Sequence, residues 1–447
     1  MKKILLLFSV SLFLSNNLIA QKVDFIEYNL DNGLHVILHQ ENAAPVVTVG
    51  VMYQIGAKDE VVGRTGFAHF FEHLLFEGTK NIERGKWFDI VSANGGSNNA
   101  NTTQDRTYYY ETFPSNKLEI GLWMESERML HPIIEQIGVD TQNEVVKEEK
   151  RQRIDNAPYG KIIYRTGINP HLFKKHPYGR SVIGSMEDLN AAKLDEFIDF
   201  NNKYYNPNNA VLVVAGDINV AETIKMIADY FGPITNNAER NIIQPVVEPE
   251  ITETRMVTEY DPNIQIPAYI FSYITPKSVD KDAYVLDYIS SILTGGNSSR
   301  MYKRMVDKDK VALQVLAFNQ ASQDYGTYTM GALIKGDPDW EVLKSTMDDE
   351  IKTLQTELIS DREFQKLQNS FETSYVQANS SVEGIAASLA TYNMLQGDTN
   401  RINEQLDIYR TITKEDIMRV AKTYLNPNQR VELKYLSGSD PNKEASK

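Results

Sequence analysis

One motif that occurs twice constrains the fold more than any other feature of the sequence. Residues 195–213 form an amphipathic helical pattern that stops at an Asn-Pro-Asn turn (206–208) and continues into an apolar run. Residues 415–433 repeat this order 220 residues later, with Asn-Pro-Asn at 426–428. Proline disfavours helix in the residue before it, so each copy predicts a helix, a turn and a strand. A coincidental turn is the alternative, but the matching flanks favour two copies of one unit.

The repeat divides the 447-residue chain into two domains, which its length also favours. We expect a first domain at 21–232, a linker at 233–252 and a second domain at 253–447. The linker is predicted because residues 233–250 contain three prolines and no sustained periodicity.

Both units begin with strand-like segments and continue with long helical patterns. Apparent strands lie at 34–40 and 46–55 in the first unit, and at 268–274 and 325–334 in the second. The predicted fold class is therefore α+β, with two homologous domains that each pack a mixed, mainly antiparallel sheet against α-helices.

The first twenty residues have the pattern of a secretory signal peptide. Two lysines precede an apolar stretch from Ile4 to Leu14, and Ala20 provides a small residue at the expected cleavage point. An uncleaved anchor is the alternative, but this stretch is shorter than the ~20 apolar residues that a spanning helix needs. We expect export across the inner membrane to the periplasm or the outside, without a stable membrane anchor.

Composition excludes several functional classes. The chain has no cysteine, so any metal site must use histidine and carboxylate ligands. The formal net charge is −14, and removal of Lys2 and Lys3 with the signal makes it −16. Such an acidic chain is not expected to bind nucleic acid.

Residues 65–79 predict a helix that carries metal ligands. Apolar residues recur there at helical spacing, Thr65 is a candidate N-cap and Gly78 a candidate stop. His69 and His73 are four residues apart and therefore share one helix face, where both can bind one metal ion. Glu72 lies beside them and suits a general base that acts on a zinc-activated water. The alternative is a solvated helix face with two histidines and a glutamate.

A catalytic zinc ion needs a third protein ligand, which residues 141–156 best provide. Glu149 lies three and four residues after Val146 and Val145, so it is predicted to share their buried stripe. Glu144 and Glu148 are four apart on another face and are expected to be solvated. Glu149 is therefore the predicted third ligand.

These residues resemble those of the pitrilysin and insulinase family of zinc peptidases, peptidase family M16. The string HFFEH is followed 76 residues later by Glu149, as in the HxxEH peptidases of this family. Three further segments resemble family motifs: SNNANTTQDRTYYYE at 97–111, HPYGRSVIGS at 176–185 and YYNPNNAVLVVAGD at 204–217. The resemblance implies a zinc endopeptidase that cleaves peptides or unfolded polypeptides.

The resemblance also implies where substrate binds. Asn99 and Ala100 would lie on an edge strand that holds an extended peptide, as in β-strand addition. An ordinary turn and hairpin is the alternative for this Asn- and Thr-rich segment.

Three departures from the family pattern bear on function. A family glutamate that precedes the ligand is Gln142 here, which is expected to orient a metal ligand through hydrogen bonds but carries no charge. Residues 285–297, at the repeat position of the HxxEH helix, lack the motif, so we expect one zinc ion per chain. Leu313 aligns with a substrate-contacting tyrosine of the family.

A chain that has the metal site but lacks this tyrosine resembles the catalytic half of a two-chain enzyme. We therefore expect a homologous, inactive M16-like subunit as partner, with a homodimer as the alternative. A non-catalytic structural or assembly subunit of the same fold is the alternative function.

Overall fold

The structure is a computed structural model that describes residues 22–240, 244–337 and 339–441. The predicted signal peptide, residues 1–20, lies outside the described residues.

Eleven strands in the described residues form two sheets. The first sheet consists of β1 (Ile26–Asn29), β2 (His35–Gln40), β3 (Val46–Tyr53), β4 (Ser97–Thr102), β5 (Thr107–Pro114) and β6 (Ala210–Gly216). The second sheet consists of β7 (Arg255–Asp261), β8 (Ala268–Thr275), β9 (Ala312–Ala321), β10 (Gly326–Ile334) and β11 (Arg430–Ser437).

Both sheets are mixed and mainly antiparallel. The first has the order β1-β2-β6-β3-β5-β4 and the second β7-β11-β8-β10-β9. Each contains one parallel pair, β2 with β6 and β7 with β11. The strands β6 and β11 follow the two Asn-Pro-Asn turns, so the sequence repeat leads into the same place in both sheets. The predicted fold class is confirmed, while the limits of the domains stay a prediction.

Helices surround both sheets. Those of the first half are α1 (Phe67–Leu74), α2 (Trp87–Ala93), α3 (Leu118–Leu130), α4 (Gln136–Lys150), α5 (Gly160–Ile163), α6 (Asn169–Leu172), α7 (Met186–Ala191), α8 (Leu194–Tyr204) and α9 (Val220–Phe231). Those of the second half are α10 (Lys281–Thr294), α11 (Trp340–Thr356), α12 (Asp361–Ala378), α13 (Val382–Thr391), α14 (Arg401–Arg410) and α15 (Lys414–Tyr424). None of the helices in the described parts of the chain is long and apolar enough to cross a bilayer.

Both faces of the first sheet are buried. Alternate residues along each strand point to opposite faces, so neighbouring residues pack into different clusters. Val36 and Leu38 pack into the core that contains the phenylalanines of α1. Ile37, between them, packs into a separate cluster on the other face. That second cluster is completed by Leu389 and its neighbours on α13, a helix of the second half.

The second sheet is covered in the reciprocal way. Tyr269 and Phe271 pack against helices of their own half. Ala268 and Ile270, which point to the other face, pack against α5, α6 and the residues that follow them in the first half. Each half thus supplies a segment that buries an apolar sheet face of the other half.

A buried polar cluster also joins the halves. The ammonium of Lys58 lies 3.0 Å from a carboxylate oxygen of Asp105 and 3.1 Å from one of Asp324, which belongs to the turn between β9 and β10. Asp105 follows β4, the edge strand of the first sheet. This cluster therefore connects the second half to the turn of the β4–β5 hairpin.

Candidate metal centre

Helix α1 is fixed at both its start and its buried face. Gly66, in the left-handed conformation with φ of +93°, precedes the helix, and the amides of Gly66 and Ala68 donate to the Glu60 carboxylate at 2.8 Å. A Cβ atom at Gly66 would lie 2.7 Å from the carbonyl oxygen of Ile183, so only glycine fits there. Phe67 stacks on Phe197 of α8, and Phe71 packs at a tilt against Phe200 of the same helix. The predicted helix is confirmed.

The predicted ends of this helix were wrong. The Thr65 hydroxyl donates to Asp188 instead of capping the helix, because the left-handed Gly66 intervenes. The helix stops at Leu74, four residues before Gly78.

The structure brings His69, His73 and Glu149 together. Nε2 of His73 lies 3.1 Å and Nε2 of His69 3.5 Å from Oε2 of Glu149, which α4 carries. One ligand atom from each residue lies within 4.8 Å of the others. All three side chains are at most 23% exposed. The arrangement matches the two nitrogens and one oxygen of a common catalytic zinc set.

The contacts of these ligands fit a bound cation. Oε2 of Glu149 and Nδ1 of His69 are buried and have no hydrogen-bond partner among the described residues. A buried carboxylate oxygen that faces two imidazoles without a donor is costly unless a cation neutralises it. The residues present therefore fit zinc.

The local electrostatics keep the ligand atoms free to bind a cation. Burial, helped by the neighbouring His73, lowers the pKa of His69 to about 4, so this imidazole is neutral at pH 7. Burial alone would raise the pKa of Glu149, but the imidazoles of His73 and His69 and the charge of Arg153 outweigh it and lower the pKa. Metal ligands must be deprotonated, and both groups meet this condition.

The apolar stripe from which Glu149 was predicted is buried at only one of its two valines. Val146 is fully buried and anchors α4. Val145 is 44% exposed and lines the cavity in front of the ligands, so its predicted burial was wrong. Glu144 and Glu148 are exposed and pair with Lys147 and Arg151.

Glu72 lies next to this cluster without being part of it. Its Oε2 accepts a hydrogen bond of 2.7 Å from the hydroxyl of Thr102 on β4. Burial raises the pKa of Glu72, and the Thr102 hydrogen bond opposes this shift. The carboxylate thus has a fixed orientation and a proton affinity above that of an exposed glutamate.

A cavity of about 680 Å³ opens in front of these side chains, and β4 forms one wall of it. Among the described strands, β4 pairs with β5 alone and lies at an edge of the sheet, as the interpretation of Asn99 and Ala100 requires. The amide of Ala100 donates to the side chain of Asn99 at 2.9 Å rather than to another strand.

Comparison with known proteins places this arrangement in a family. Residues 35–185 match the family model "Insulinase (Peptidase family M16)", and residues 191–371 match "Peptidase M16 inactive domain". The chain belongs to peptidase family M16. The resemblance inferred from the motifs is thereby confirmed.

Relatives of this M16 chain cover nine tenths of it or more. It is 30% identical over 409 residues to "Zinc protease PqqE" of Helicobacter pylori, which covers 90% of each chain. The crystal structure of a protease from Helicobacter pylori is similar with a TM-score of 0.87 and 27% identity, over 92% of this chain and 99% of that one. The periplasmic protease PqqL from Escherichia coli is similar with a TM-score of 0.76 and 18% identity, over 95% of this chain but 50% of that one.

The side-chain amide of Gln142 hydrogen bonds to Glu77 and not to a predicted zinc ligand of the described chain. Glu77 also pairs with Arg84. Among the described residues, no hydrogen bond joins Gln142 to His69, His73 or Glu149, so its role in orienting a ligand stays a prediction. Glu77 lies in the loop after α1, and the network supports that loop.

Sequence reasoning missed Arg153 and Thr102. Arg153 lies four residues after Glu149 and its guanidinium NH1 is 2.6 Å from Oε1 of that ligand. This spacing is the ordinary one for an ion pair on a helix and could have indicated the contact. Thr102 had no such signal, because its bond to Glu72 joins residues that are distant in sequence.

Proposed function

We propose that this chain is a zinc-dependent endopeptidase that hydrolyses peptides or unfolded polypeptides. One observation carries the proposal: His69, His73 and Glu149 converge at the base of an open cavity, with Glu72 beside them. The relatives named zinc proteases support it.

Three ligands from one chain leave a coordination position for solvent or substrate. Zinc held there would supply Lewis-acid chemistry, which activates water near neutral pH and polarises the scissile carbonyl. We propose one ion per chain, held by His69, His73 and Glu149.

Glu72 would move the proton. Its carboxylate oxygen accepts a proton from the attacking water and then gives it to the nitrogen of the leaving amine. Burial, which raises the pKa of Glu72, supports both steps because the group must take up and release a proton. The Thr102 hydroxyl holds the carboxylate in place through the bond to Oε2.

An extended peptide would bind along β4. Asn99 is exposed, and among the described residues the Ala100 amide donates to the side chain of Asn99 and not to a further strand, so a substrate carbonyl can replace that contact. Main-chain pairing of this kind selects extended, unfolded segments rather than one sequence.

A second chain would close the cavity. Phe88, Val145 and Tyr164 line the cavity although each is more than 40% exposed. Leu313, at the position aligned with the family tyrosine, is 47% exposed on the edge strand β9. The chain also matches only half of the length of PqqL. We propose a homologous inactive subunit as partner, with a homodimer as the alternative, and native mass spectrometry of co-purified material distinguishes them.

We also propose export to the periplasm or the outside. Lys2, Lys3 and the apolar stretch that follows support a cleaved signal. N-terminal sequencing of the protein from its native host should give Gln21 as the first residue; a mature chain that retains Met1 would contradict export by this signal.

A non-catalytic structural or assembly subunit is the second candidate. The match of residues 191–371 to an inactive-domain family model favours it. The metal ligands and Glu72 favour the peptidase, since a scaffold role requires none of them.

The deciding experiment combines metal analysis with a quenched-peptide assay on the full chain, alone and with co-purified partner. Chelation should abolish cleavage and zinc should restore it. Glu72→Gln should keep the zinc and lose cleavage, while the matched control Glu144→Gln, on an exposed face of α4, should behave as wild type. Cleavage by Glu72→Gln at the native rate would contradict its role as the base, and a zinc-free active chain would contradict the whole proposal.

A further inference from the structure

The chain does not leave α4 as an ordinary coil. Residues Arg151–Asp155 continue it as a single π-helical turn, a wider geometry that is frequent at functional sites. This turn places Arg153 at the cavity wall, where its side chain is 60% exposed. Its NH1 group lies 2.6 Å from Oε1 of Glu149.

The two oxygens of Glu149 therefore have different surroundings. Oε2 faces the imidazoles of His69 and His73 and has no hydrogen-bond donor among the described residues. Oε1 is bound by Arg153 through a charge-assisted contact.

We infer that Arg153 is a positioning residue that restricts Glu149 to one oxygen as a zinc ligand, an inference that rests on the proposed function. A carboxylate can bind a metal through one or both oxygens. The second oxygen of Glu149 would occupy the position that a catalytic zinc leaves open for water or substrate. Arg153 prevents this because it holds Oε1 away from the imidazoles.

Neighbouring basic residues do not share this role. Arg151 pairs with Glu148 on the exposed side of the same turn, and Lys150 pairs with Asp155. The buried Nδ1 of His69 has no partner among the described residues, so other contacts must orient the ligands. The contact between Arg153 and Glu149 is one of these.

Arg153 can be replaced without loss of the fold. An ion pair of such an exposed arginine contributes little to stability. Arg153→Gln removes the charge, Arg153→Lys keeps a single donor, and Arg151→Gln is the matched control two residues away.

The test uses the full chain and three measurements: zinc affinity by chelator competition, the visible absorption of the cobalt-substituted protein, and kcat and KM on a quenched peptide. Cobalt absorbs more strongly in a four-coordinate site, which lacks a centre of inversion, than in sites of higher coordination. Arg153→Gln should show weaker cobalt absorption at equal occupancy and reduced kcat with little change in KM, and its zinc affinity should not fall, because the freed second oxygen adds a ligand. Arg153→Lys should recover part of each, and Arg151→Gln should match wild type.

Two results would contradict these expectations. A wild-type cobalt spectrum in Arg153→Gln would overturn the inference alone, because the proposed zinc site would remain. Failure of the wild-type chain to bind zinc or cobalt would overturn the proposed function and the inference with it.

Discussion

The hydrogen bond between Thr102 and Glu72 gives a quantitative prediction for catalysis. The Thr102 hydroxyl donates to Oε2 of Glu72 at 2.7 Å, and valine has the same shape without the donor. A hydrogen bond to a charged group contributes about 1.5–3 kcal/mol, and the lower end applies here because both side chains are only partly buried.

The sign follows from which form of Glu72 the bond favours. The donor stabilises the ionised carboxylate and opposes the rise in pKa that burial causes. Without it, the pKa of Glu72 rises further and the ionised base forms only at higher pH. A loss of about 1.5 kcal/mol corresponds to an approximately tenfold lower fraction of ionised base on the acid side of the profile.

The assay is kcat/KM against pH for wild type, Thr102→Val and the control Thr102→Ser, with zinc content measured at each pH. In Thr102→Val the acid limb should move to higher pH and kcat/KM on that limb should fall about tenfold, while zinc content stays constant. Thr102→Ser should follow wild type. If the profile of Thr102→Val superimposes on that of wild type, the bond does not tune the base and the reasoning is refuted.

Three further predictions concern stability, each measured by urea unfolding. Leu389→Ala on α13 removes a fully buried side chain and should lower the free energy of unfolding by about 3 kcal/mol, from ~0.8 kcal/mol per buried carbon plus a cavity term. The control Val376→Ala, at an exposed position of α12, should change it by less than about 0.5 kcal/mol. Lys58→Met leaves Asp105 and Asp324 without their shared cation and should cost about 3 kcal/mol; an unchanged midpoint would contradict the importance of this cluster. Because the folded-state pKa of His69 is lowered from 6.5 to about 4, the unfolded state binds the proton more tightly, so the zinc-free protein should lose about 3 kcal/mol as pH falls through this window. In His69→Gln that part of the pH dependence should be absent.

Local patterns were enough to predict much of the fold. The strands expected at 46–55 and 268–274 correspond to β3 and β8, and the Asn-Pro-Asn turns precede β6 and β11. These features depend on periodicity and turn chemistry within a few residues, which a sequence displays directly. The pairing of Ile37 with Leu389 depends on a helix more than 300 residues away, and no local pattern indicates it.

The candidate site was also predictable from the sequence only in part. His69, Glu72 and His73 share one helix turn, so their spacing alone brings them together. Glu149 was selected on an apolar stripe of which only Val146 is buried, because Val145 faces a cavity that only the folded chain creates. The partner of Gln142 is Glu77, which lies in another segment, and nothing in the local sequence of α4 identifies it.

The exchange of covering segments between the halves affects how the chain can be divided. Neither half, produced as a fragment, would have both faces of its sheet covered. The first half would expose to water the sheet face that carries Ile37, and the second half would expose the face that carries Ile270. Exposed apolar surfaces of this kind promote aggregation. A chain nicked by a protease between the two units, in contrast, would stay assembled, because the contacts that cross from one unit to the other do not depend on the peptide that connects them.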